Sequence, residues 1–180
     1  TKLYPILIMR IFLLFLVAFS IASGNKYTKF SGKITYYGFH YLHEWKGESQ
    51  IINGFINYDK IRNEYVCDLR VPIASFDSKN GNRDSNMLIY TNALEFPDIH
   101  FKSTRIVINE DKALVEGVLD FAGKSRDVKT NVDFHIENDI SFSGELMIKL
   151  SDYKIIRPSL LFKKIDDEIR IKFLIQTISN

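Results

Sequence analysis

The side chains most suited to metal binding are His40, His43 and Glu44, which lie within one short stretch of the chain. Imidazole and carboxylate groups are common zinc ligands. On a strand, however, residues 40 and 43 face opposite sides of the sheet, so they cannot share a metal unless a turn lies between them. His100 and His135 are isolated, and each falls on the polar side of its strand. We therefore predict no metal site.

A second polar group comprises Asp77, Asn80, Asn82 and Asp84. It lacks the full ligand order of a calcium-binding loop and its closing glutamate. Such side chains more often bond to the backbone of a loop and cap a helix. Cys67, the only cysteine of the chain, falls on the apolar side of its strand. We expect an inert core residue and no internal disulfide.

Enzymatic chemistry has little support in the sequence. Neither a Gly-x-Ser-x-Gly motif nor a phosphate-binding P-loop is present, and no acid, base and nucleophile converge. The prediction is a protein that is not an enzyme and needs no cofactor. An enzyme acting on a small apolar substrate is the least favoured alternative. It would need an inward-facing titratable group, such as Glu116 or Asp120.

The first 23 residues have the pattern of a cleaved secretory signal peptide. Met9 and Arg10 precede nine apolar residues, 11–19, and small residues follow at Ser20 and Ala22. The apolar run is shorter than the ~20 residues that span a bilayer. An uncleaved anchor is the alternative. We expect residues 24–180 to form one exported domain.

The charge balance argues against nucleic acid as a partner. The whole chain has 24 Lys and Arg against 22 Asp and Glu. Lys2 and Arg10 would leave with the signal, so the remaining domain would carry no net formal charge. Proteins that bind nucleic acid usually present a basic face to the phosphates.

The domain itself is dominated by alternation of apolar and polar residues, which predicts strands with one apolar face. Turn-forming residues separate about eight such runs, and this number is typical of a sandwich or a barrel. Five runs are regular, and three others, 48–58, 98–108 and 113–121, are less so. The regular runs begin at Phe30, Tyr65, Val128, Ile140 and Ile169.

One segment, about 83–94, lacks this alternation and predicts a short helix. Asn82 can cap it and Asp84 lies in its first turn, where a negative charge suits the helix dipole. Pro97 prevents its continuation. Four side chains would share one helical face, namely Met87, Leu88, Thr91 and Leu94.

The apolar faces are rich in aromatic residues, with 14 Phe, 9 Tyr and 1 Trp in the chain. An eight-stranded barrel is just wide enough to be filled by side chains or to hold one small ligand. Glycines in or beside the strands, such as Gly38 and Gly117, indicate bends or a close approach to the backbone. Both readings fit, and periodicity alone slightly favours a filled barrel.

Three segments resemble the YceI-like family. Its S-F-D-S-x-N-x-x-R-D-x-x-M-L signature is matched by residues 75–88, and its F-P-x-I-x-F-x-S element by residues 96–103. The family's G-x-L-x-x-x-G-x-x-R/K hairpin is similar to residues 117–126. The chain departs from the family at Lys79, where glycine is frequent, and over 151–165, which replaces a shorter closing hairpin.

The resemblance implies an all-β fold, an eight-stranded antiparallel lipocalin-like barrel with one helix over an end. It implies a periplasmic protein that holds a long isoprenoid lipid, such as a polyprenyl phosphate or a quinone tail, without catalysis. The alternative is a filled barrel that acts as an envelope stress-response interaction module without a ligand. The oligomeric state stays open, with a homodimer among the options.

Large apolar residues on the expected inner faces are the candidates for the cavity wall. Arg157 and Lys124 are the candidates for a lipid head group, because a head group needs a donor at the mouth. The predicted wall comprises Tyr36, Phe39, Trp45, Phe55, Leu69, Phe76, Met87, Phe101, Leu119, Phe121, Phe134, Phe142, Leu160 and Phe173.

Overall fold

The structure, a computed structural model, describes residues 28–160 and 162–178. The predicted signal peptide, residues 1–23, lies outside the described residues. Strands dominate the described part, which contains one α-helix. In chain order the elements are β1 (Phe30–His40), β2 (His43–Ser49), β3 (Asn53–Asp59), β4 (Glu64–Pro72), α1 (Gly81–Tyr90), β5 (Asp98–Asn109), β6 (Lys112–Phe121), β7 (Lys124–Ile136), β8 (Ile140–Lys149), β9 (Ser159–Leu160), β10 (Lys163–Lys164) and β11 (Glu168–Thr177).

Nine strands form one curled antiparallel sheet in the order β2-β1-β11-β8-β7-β6-β5-β4-β3. Its two edge strands, β2 and β3, follow each other in the chain with only residues 50–52 between them. The amide of Thr28, just before β1, donates to the carbonyl of Gly54 in β3 at 3.0 Å. Counted as one bent strand, β2 and β3 complete the predicted eight-stranded antiparallel barrel, and that fold class is confirmed.

The bend corrects the prediction of one continuous strand over 48–58. The first half of this stretch pairs with β1 and the second half with β4, so the backbone must change partners within a few residues. Gly54 has φ 131°, a conformation that side chains other than glycine rarely adopt. A β-carbon there would lie 2.9 Å from the carbonyl carbon of Asp68. Alternation alone does not reveal such a change of partner.

The five regular alternating runs are strands, as predicted, and the runs at 98–108 and 113–121 correspond to β5 and β6. Their apolar faces form two adjoining clusters of buried side chains. Phe134 and Ile175 belong to the first cluster, and Ile148 and Ile169 to the second. Phe101 packs against both clusters and so connects them.

Helix α1 begins earlier and ends earlier than the predicted 83–94. Its cap is Asn80 and not Asn82, since the Asn80 side chain accepts a hydrogen bond from the amide of Arg83 at 3.1 Å. Asn92, at φ 52°, stops the helix in the left-handed conformation. Leu94 therefore lies beyond the helix and is fully exposed, contrary to its predicted place on the buried face.

A 3-10 turn, Leu150–Tyr153, leads into residues 151–165, which also contribute the small β9–β10 hairpin. Asp167 anchors the segment, because its carboxylate accepts from the amide of Ser151 at 3.0 Å and from the Ser151 hydroxyl at 2.5 Å. Arg157 Nε lies 3.6 Å from the same carboxylate. Within the described residues no helix has the length and apolarity needed to cross a membrane.

Candidate functional site

The barrel interior is not completely filled by its own side chains. In the described part of the chain, the larger of two adjoining cavities inside the barrel, about 470 Å³, lies where α1, the β1–β2 hairpin and the 151–165 segment meet. This volume falls within the range of small-molecule sites, roughly 300–1,000 Å³. The slight preference for a filled barrel that periodicity gave is therefore wrong. The wall of this larger cavity includes Tyr36, His40, Trp45, Ile73, Met87, Phe121, Ile148, Leu150, Ile155 and Ile169.

A smaller cavity of about 160 Å³ lies deeper in the barrel. As far as the described residues line it, its wall is almost wholly apolar, with Thr130 as the one hydroxyl side chain. A cavity with such a wall offers water too few hydrogen-bond partners to be stably occupied. Four residues line both cavities, which makes the two spaces neighbours along the barrel. These four, which we call the waist, are Phe76, Ile99, Leu119 and Ile171.

Two aromatic rings of the larger cavity lie over glycines of the opposite strand. Tyr36 of β1 pairs with Gly47 of β2, and Gly38 of β1 pairs with Trp45 of β2. A β-carbon at Gly38 would lie 2.5 Å from Cε2 of Trp45, and one at Gly47 would lie 2.7 Å from Cζ of Tyr36. Because neither glycine carries a side chain, each ring can lie close to the backbone. The rings thus form wall without filling the lumen.

Helix α1 supports this wall from the other side. The guanidinium of Arg83 lies 5.5 Å from the Trp45 ring, within the range of a cation–π contact. Its Nη1 donates to the carbonyl of Ser78 at 3.4 Å, and Asp84 accepts from the amide of Ser78 at 3.1 Å. Arg83 and Asp84 therefore fasten the loop before the helix. Tyr36 packs edge-on against Phe76, with 5.6 Å between ring centroids.

Two titratable groups that line the cavities are shifted towards their neutral forms. Burial raises the pKa of Tyr36, and the charge of Asp84 adds to the effect. Burial also raises the pKa of the Cys67 thiol to about 12, with a further contribution from Asp68. Cys67 lines the smaller cavity and is buried, as predicted for an inert core residue. A thiol that stays protonated is a poor nucleophile.

The alternative register that would place Glu116 or Asp120 inside the barrel is wrong. Their neighbours Val115 and Leu119 line the smaller cavity. Glu116 forms an ion pair with Lys129 at 2.7 Å on the outer face. Alternation along β6 places Asp120 on that same outer face.

Asp120 belongs to a row of three side chains on the outer face, together with Asp68 and His100. The prediction that His100 is isolated is therefore wrong. His100 Nε2 lies 2.8 Å from Oδ1 of Asp68, and Nδ1 lies 3.3 Å from Oδ2 of Asp120. The row crosses β4, β5 and β6, with the imidazole between two carboxylates. It joins neighbouring strands from outside and does not contact either cavity.

A tight turn lies between His40 and His43. Such a turn is what allows the two imidazole rings to lie on the same side of the hairpin. They pair across the β1–β2 hairpin, and their ring centroids are 6.4 Å apart. Both line the larger cavity, His40 buried and His43 exposed at the rim. In the part of the chain that the structure describes, no three His, Cys, Asp or Glu side chains converge as metal ligands.

Most of the predicted wall residues do surround the two cavities. Tyr36, Trp45, Leu69, Phe76, Met87, Phe101, Leu119, Phe121, Phe134, Phe142 and Phe173 line one cavity or both. Phe39 and Phe55 lie on the outer face, Phe39 with 46% of its surface exposed and Phe55 opposite Asp68. The side chain of Leu160 lies outside the described residues.

The two predicted head-group residues lie elsewhere. Arg157 donates to the carbonyl of Ile165 at 3.1 Å and is engaged with Asp167. Lys124 stands opposite Phe121 at the end of the β6–β7 hairpin. Sequence reasoning missed Arg83 and His40 as cavity residues. Both residues could have been found from the sequence, since Arg83 belongs to the signature segment of residues 75–88. His40 lies four residues after Tyr36 on the same strand and so faces the same side of the sheet.

The curled antiparallel sheet with an apolar internal cavity and one helix defines a lipocalin-like barrel. A sequence profile of the YceI-like domain matches residues 20–177. The chain belongs to the YceI-like family. The comparison with curated protein sequences gives no match.

Several solved structures share the fold at low sequence identity. Burkholderia cenocepacia BcnA is 20% identical, with a TM-score of 0.71 over 81% of this chain and 95% of that one. The Campylobacter jejuni YCEI protein is 22% identical, with a TM-score of 0.65 over 79% and 90%. A polyisoprenoid binding domain from Saccharophagus degradans, implicated in plant cell wall breakdown, is 12% identical, with a TM-score of 0.67 over 85% and 99%.

Proposed function

We propose that this protein binds a long isoprenoid lipid inside its barrel and carries or sequesters it without chemical change. The observation that carries the proposal is the pair of adjoining apolar cavities that share the waist. Each methylene group moved from water into such a space contributes about 0.8 kcal/mol. A long apolar chain therefore gains affinity in proportion to its buried length.

The shape of the space favours a chain over a compact ligand. The larger cavity reaches the rim beside His43, and the smaller one continues past Phe76 and Leu119 into the barrel. A flexible chain can enter at the rim and extend through the waist. The Saccharophagus degradans domain of the same fold is described as polyisoprenoid binding, which supports this ligand class.

A binding role without catalysis is consistent with the interior chemistry. The thiol of Cys67 is held protonated, and the carboxylates of Glu116 and Asp120 lie outside the barrel. Tyr36 is shifted away from ionisation by burial. These groups leave the interior suited to holding a ligand.

We also propose that the protein is exported and acts in the periplasm. The support is the signal-like pattern of residues 1–23 and the membership of the YceI-like family. Expression of the full chain, followed by N-terminal sequencing of the protein from the periplasmic fraction, tests this. Cleavage near Ala22 is expected, and retention of an intact N-terminus in the cytoplasm would contradict it.

The ligand itself is tested by purifying the protein from its native host and extracting it with organic solvent for mass spectrometry. Trp45, the only tryptophan, lines the larger cavity and provides a second measurement. Titration of delipidated protein with farnesol or a longer polyprenol should change its fluorescence saturably, whereas a Trp45→Phe variant should give no such signal. Lipid-free protein that also fails to bind prenyl compounds would contradict the proposal.

A further inference from the structure

His40 is a buried side chain whose hydrogen-bonding capacity is unused. It is 1% exposed, and within the described residues neither of its ring nitrogens has a hydrogen-bond partner. Its ring lies against Tyr41, with 4.5 Å between centroids. Buried polar groups are almost always paired, because an unpaired one loses its hydration without compensation. An orphaned imidazole in a ligand cavity points to a partner supplied by the ligand.

The surroundings of His40 include one fixed positive charge, the guanidinium of Arg83. The larger cavity is lined by Arg83 and by His40 and His43, and among the residues that the structure describes no carboxylate is part of its wall. Its other polar groups are neutral, and they comprise Tyr36, Asn80, Asn86, Tyr90, Thr91 and Ser159. Asp84, the acid whose charge acts on Tyr36, is bonded to the backbone of Ser78 and does not line the cavity. The wall therefore favours an anion over a cation.

Arg83 is placed to act together with His40. Its guanidinium is positioned by the Trp45 ring and the Ser78 carbonyl, and those contacts use only part of its five donors. The smaller cavity, by contrast, has an almost wholly apolar wall. The barrel thus has one end suited to a polar anionic group and one suited to a hydrocarbon chain.

We propose that His40 and Arg83 bind an anionic head group of the phosphate class, so that the ligand lies with its head at the β1–β2 hairpin and its tail beyond the waist. This rests on the proposed function, because the tail places the head group there. His40 then sets the choice between phosphorylated and neutral lipids, and its buried nitrogens gain a partner only when the ligand is bound.

The test compares farnesyl phosphate with farnesol, two probes that differ only in the head group. Wild-type protein is expected to bind the phosphate at least about tenfold more tightly. His40→Phe should bring this ratio close to one, and Arg83→Gln should lower the ratio in the same direction. Inorganic phosphate should not compete, since it lacks the tail.

The melting temperature of the ligand-free protein provides a second, independent measurement. His40→Phe removes two unpaired buried nitrogens, so it should raise this temperature by a few degrees while weakening phosphate recognition. A His40→Gln variant, which keeps hydrogen-bonding groups, should retain part of the preference. A lower melting temperature in His40→Phe would show that the imidazole holds the fold and would overturn the inference.

The outcomes separate this inference from the proposed function. If wild-type protein binds farnesol and farnesyl phosphate equally, or if His40→Phe keeps the preference, lipid binding stands and the head-group site is wrong. If inorganic phosphate alone competes at the same concentration, the site binds the free anion and the lipid orientation is wrong. If neither prenyl compound binds, the proposed function fails and this inference fails with it.

Discussion

The ring of Trp45 covers Gly38 so closely that a β-carbon at position 38 would lie 2.5 Å from Cε2 of the indole. The two residues face each other across the β1–β2 hairpin, and Trp45 also supports Arg83 of helix α1. The position of this single ring therefore connects the hairpin, the helix and the wall of the larger cavity. The ring can take this position only because residue 38 has no side chain, and a substitution of Gly38 tests this directly.

Gly38→Ala should displace Trp45 and lower the free energy of unfolding by about 1–3 kcal/mol, the usual cost of overpacking. The displaced ring would narrow the larger cavity, so the affinity for a prenyl ligand should fall as well. Chemical denaturation and the emission maximum of Trp45 measure the two effects.

The matched control is Gly81→Ala, because a β-carbon there meets nothing within 4 Å. Since alanine is a better helix former than glycine, this variant should be neutral or slightly stabilising. Equal destabilisation by both substitutions would contradict a specific role for the contact between Gly38 and Trp45.

Leu119→Trp should block the waist between the two cavities. Leu119 lines both spaces, so a larger side chain there would prevent a chain from passing into the smaller one. The affinity for a long polyprenol should fall by at least about tenfold, since two buried methylenes already contribute that much. Farnesol, which is shorter, should lose less affinity.

Val118→Trp is the control for this substitution, because Val118 is the next residue on β6 and faces the opposite side of the sheet. It should leave both affinities unchanged. If Leu119→Trp also leaves the binding of the long polyprenol unchanged, the ligand does not pass through the waist, and a tail in the smaller cavity is ruled out.

Cys67 should not react with an alkylating reagent at pH 8 in the folded protein and should react readily after unfolding. Burial holds its pKa at about 12, so the reactive thiolate is scarce, and access to the sulfur is also blocked. Because it is the only cysteine, mass spectrometry of the labelled chain measures unfolding directly. Rapid labelling in the absence of denaturant would contradict the buried position.

The same shift predicts a loss of stability at alkaline pH. The folded thiol has a pKa of about 12, above the ordinary value of 9.0. Its stabilising effect is therefore complete below about pH 9 and is lost as the pH rises towards 12, where the unfolded chain ionises first. Unfolding free energies measured from pH 8 to pH 11 should fall more steeply for wild type than for Cys67→Val.

Asp167→Asn should loosen the 151–165 segment. The hydroxyl of Ser151 holds the pKa of this carboxyl below its usual value, with its amide and Arg157 contributing. A lowered pKa means that the stabilisation is present above the ordinary value of 3.8 and is lost as the pH falls below it. Each hydrogen bond lost should cost about 0.5–1.5 kcal/mol.

The segment supplies Ile155, Pro158 and Ile165 to the larger cavity, so its loosening should speed ligand dissociation. Displacement of a bound prenyl compound, followed through Trp45 fluorescence, measures this rate. Asp166→Asn is the control, because the exposed Asp166 contacts Phe39 through its backbone amide. Identical dissociation rates in all three proteins would show that Asp167 does not hold the cavity closed.

The sequence was sufficient for the parts of the structure that depend on local pattern. Alternation decides which face of a strand is buried, and this placed residues as distant as Tyr36 and Phe173 on the inner surface. The signature segment of residues 75–88 identified the family. Helix α1 was expected, but its cap was assigned to Asn82 because cap preference alone does not distinguish it from Asn80.

The tertiary structure decided what depends on distances between strands. Residues 48–58 alternate as one strand, yet the chain changes partner strands at residues 50–52, and the backbone of Asp68 on another strand leaves no room for a β-carbon at Gly54. Whether the lumen is filled depends on how each ring lies, and the rings of Tyr36 and Trp45 lie over glycines that only pairing brings opposite them. The unpaired state of His40 is likewise invisible in sequence, because a hydrogen bond is absent only once every neighbour is known. Periodicity thus specified an apolar interior, and three-dimensional packing left part of that interior open.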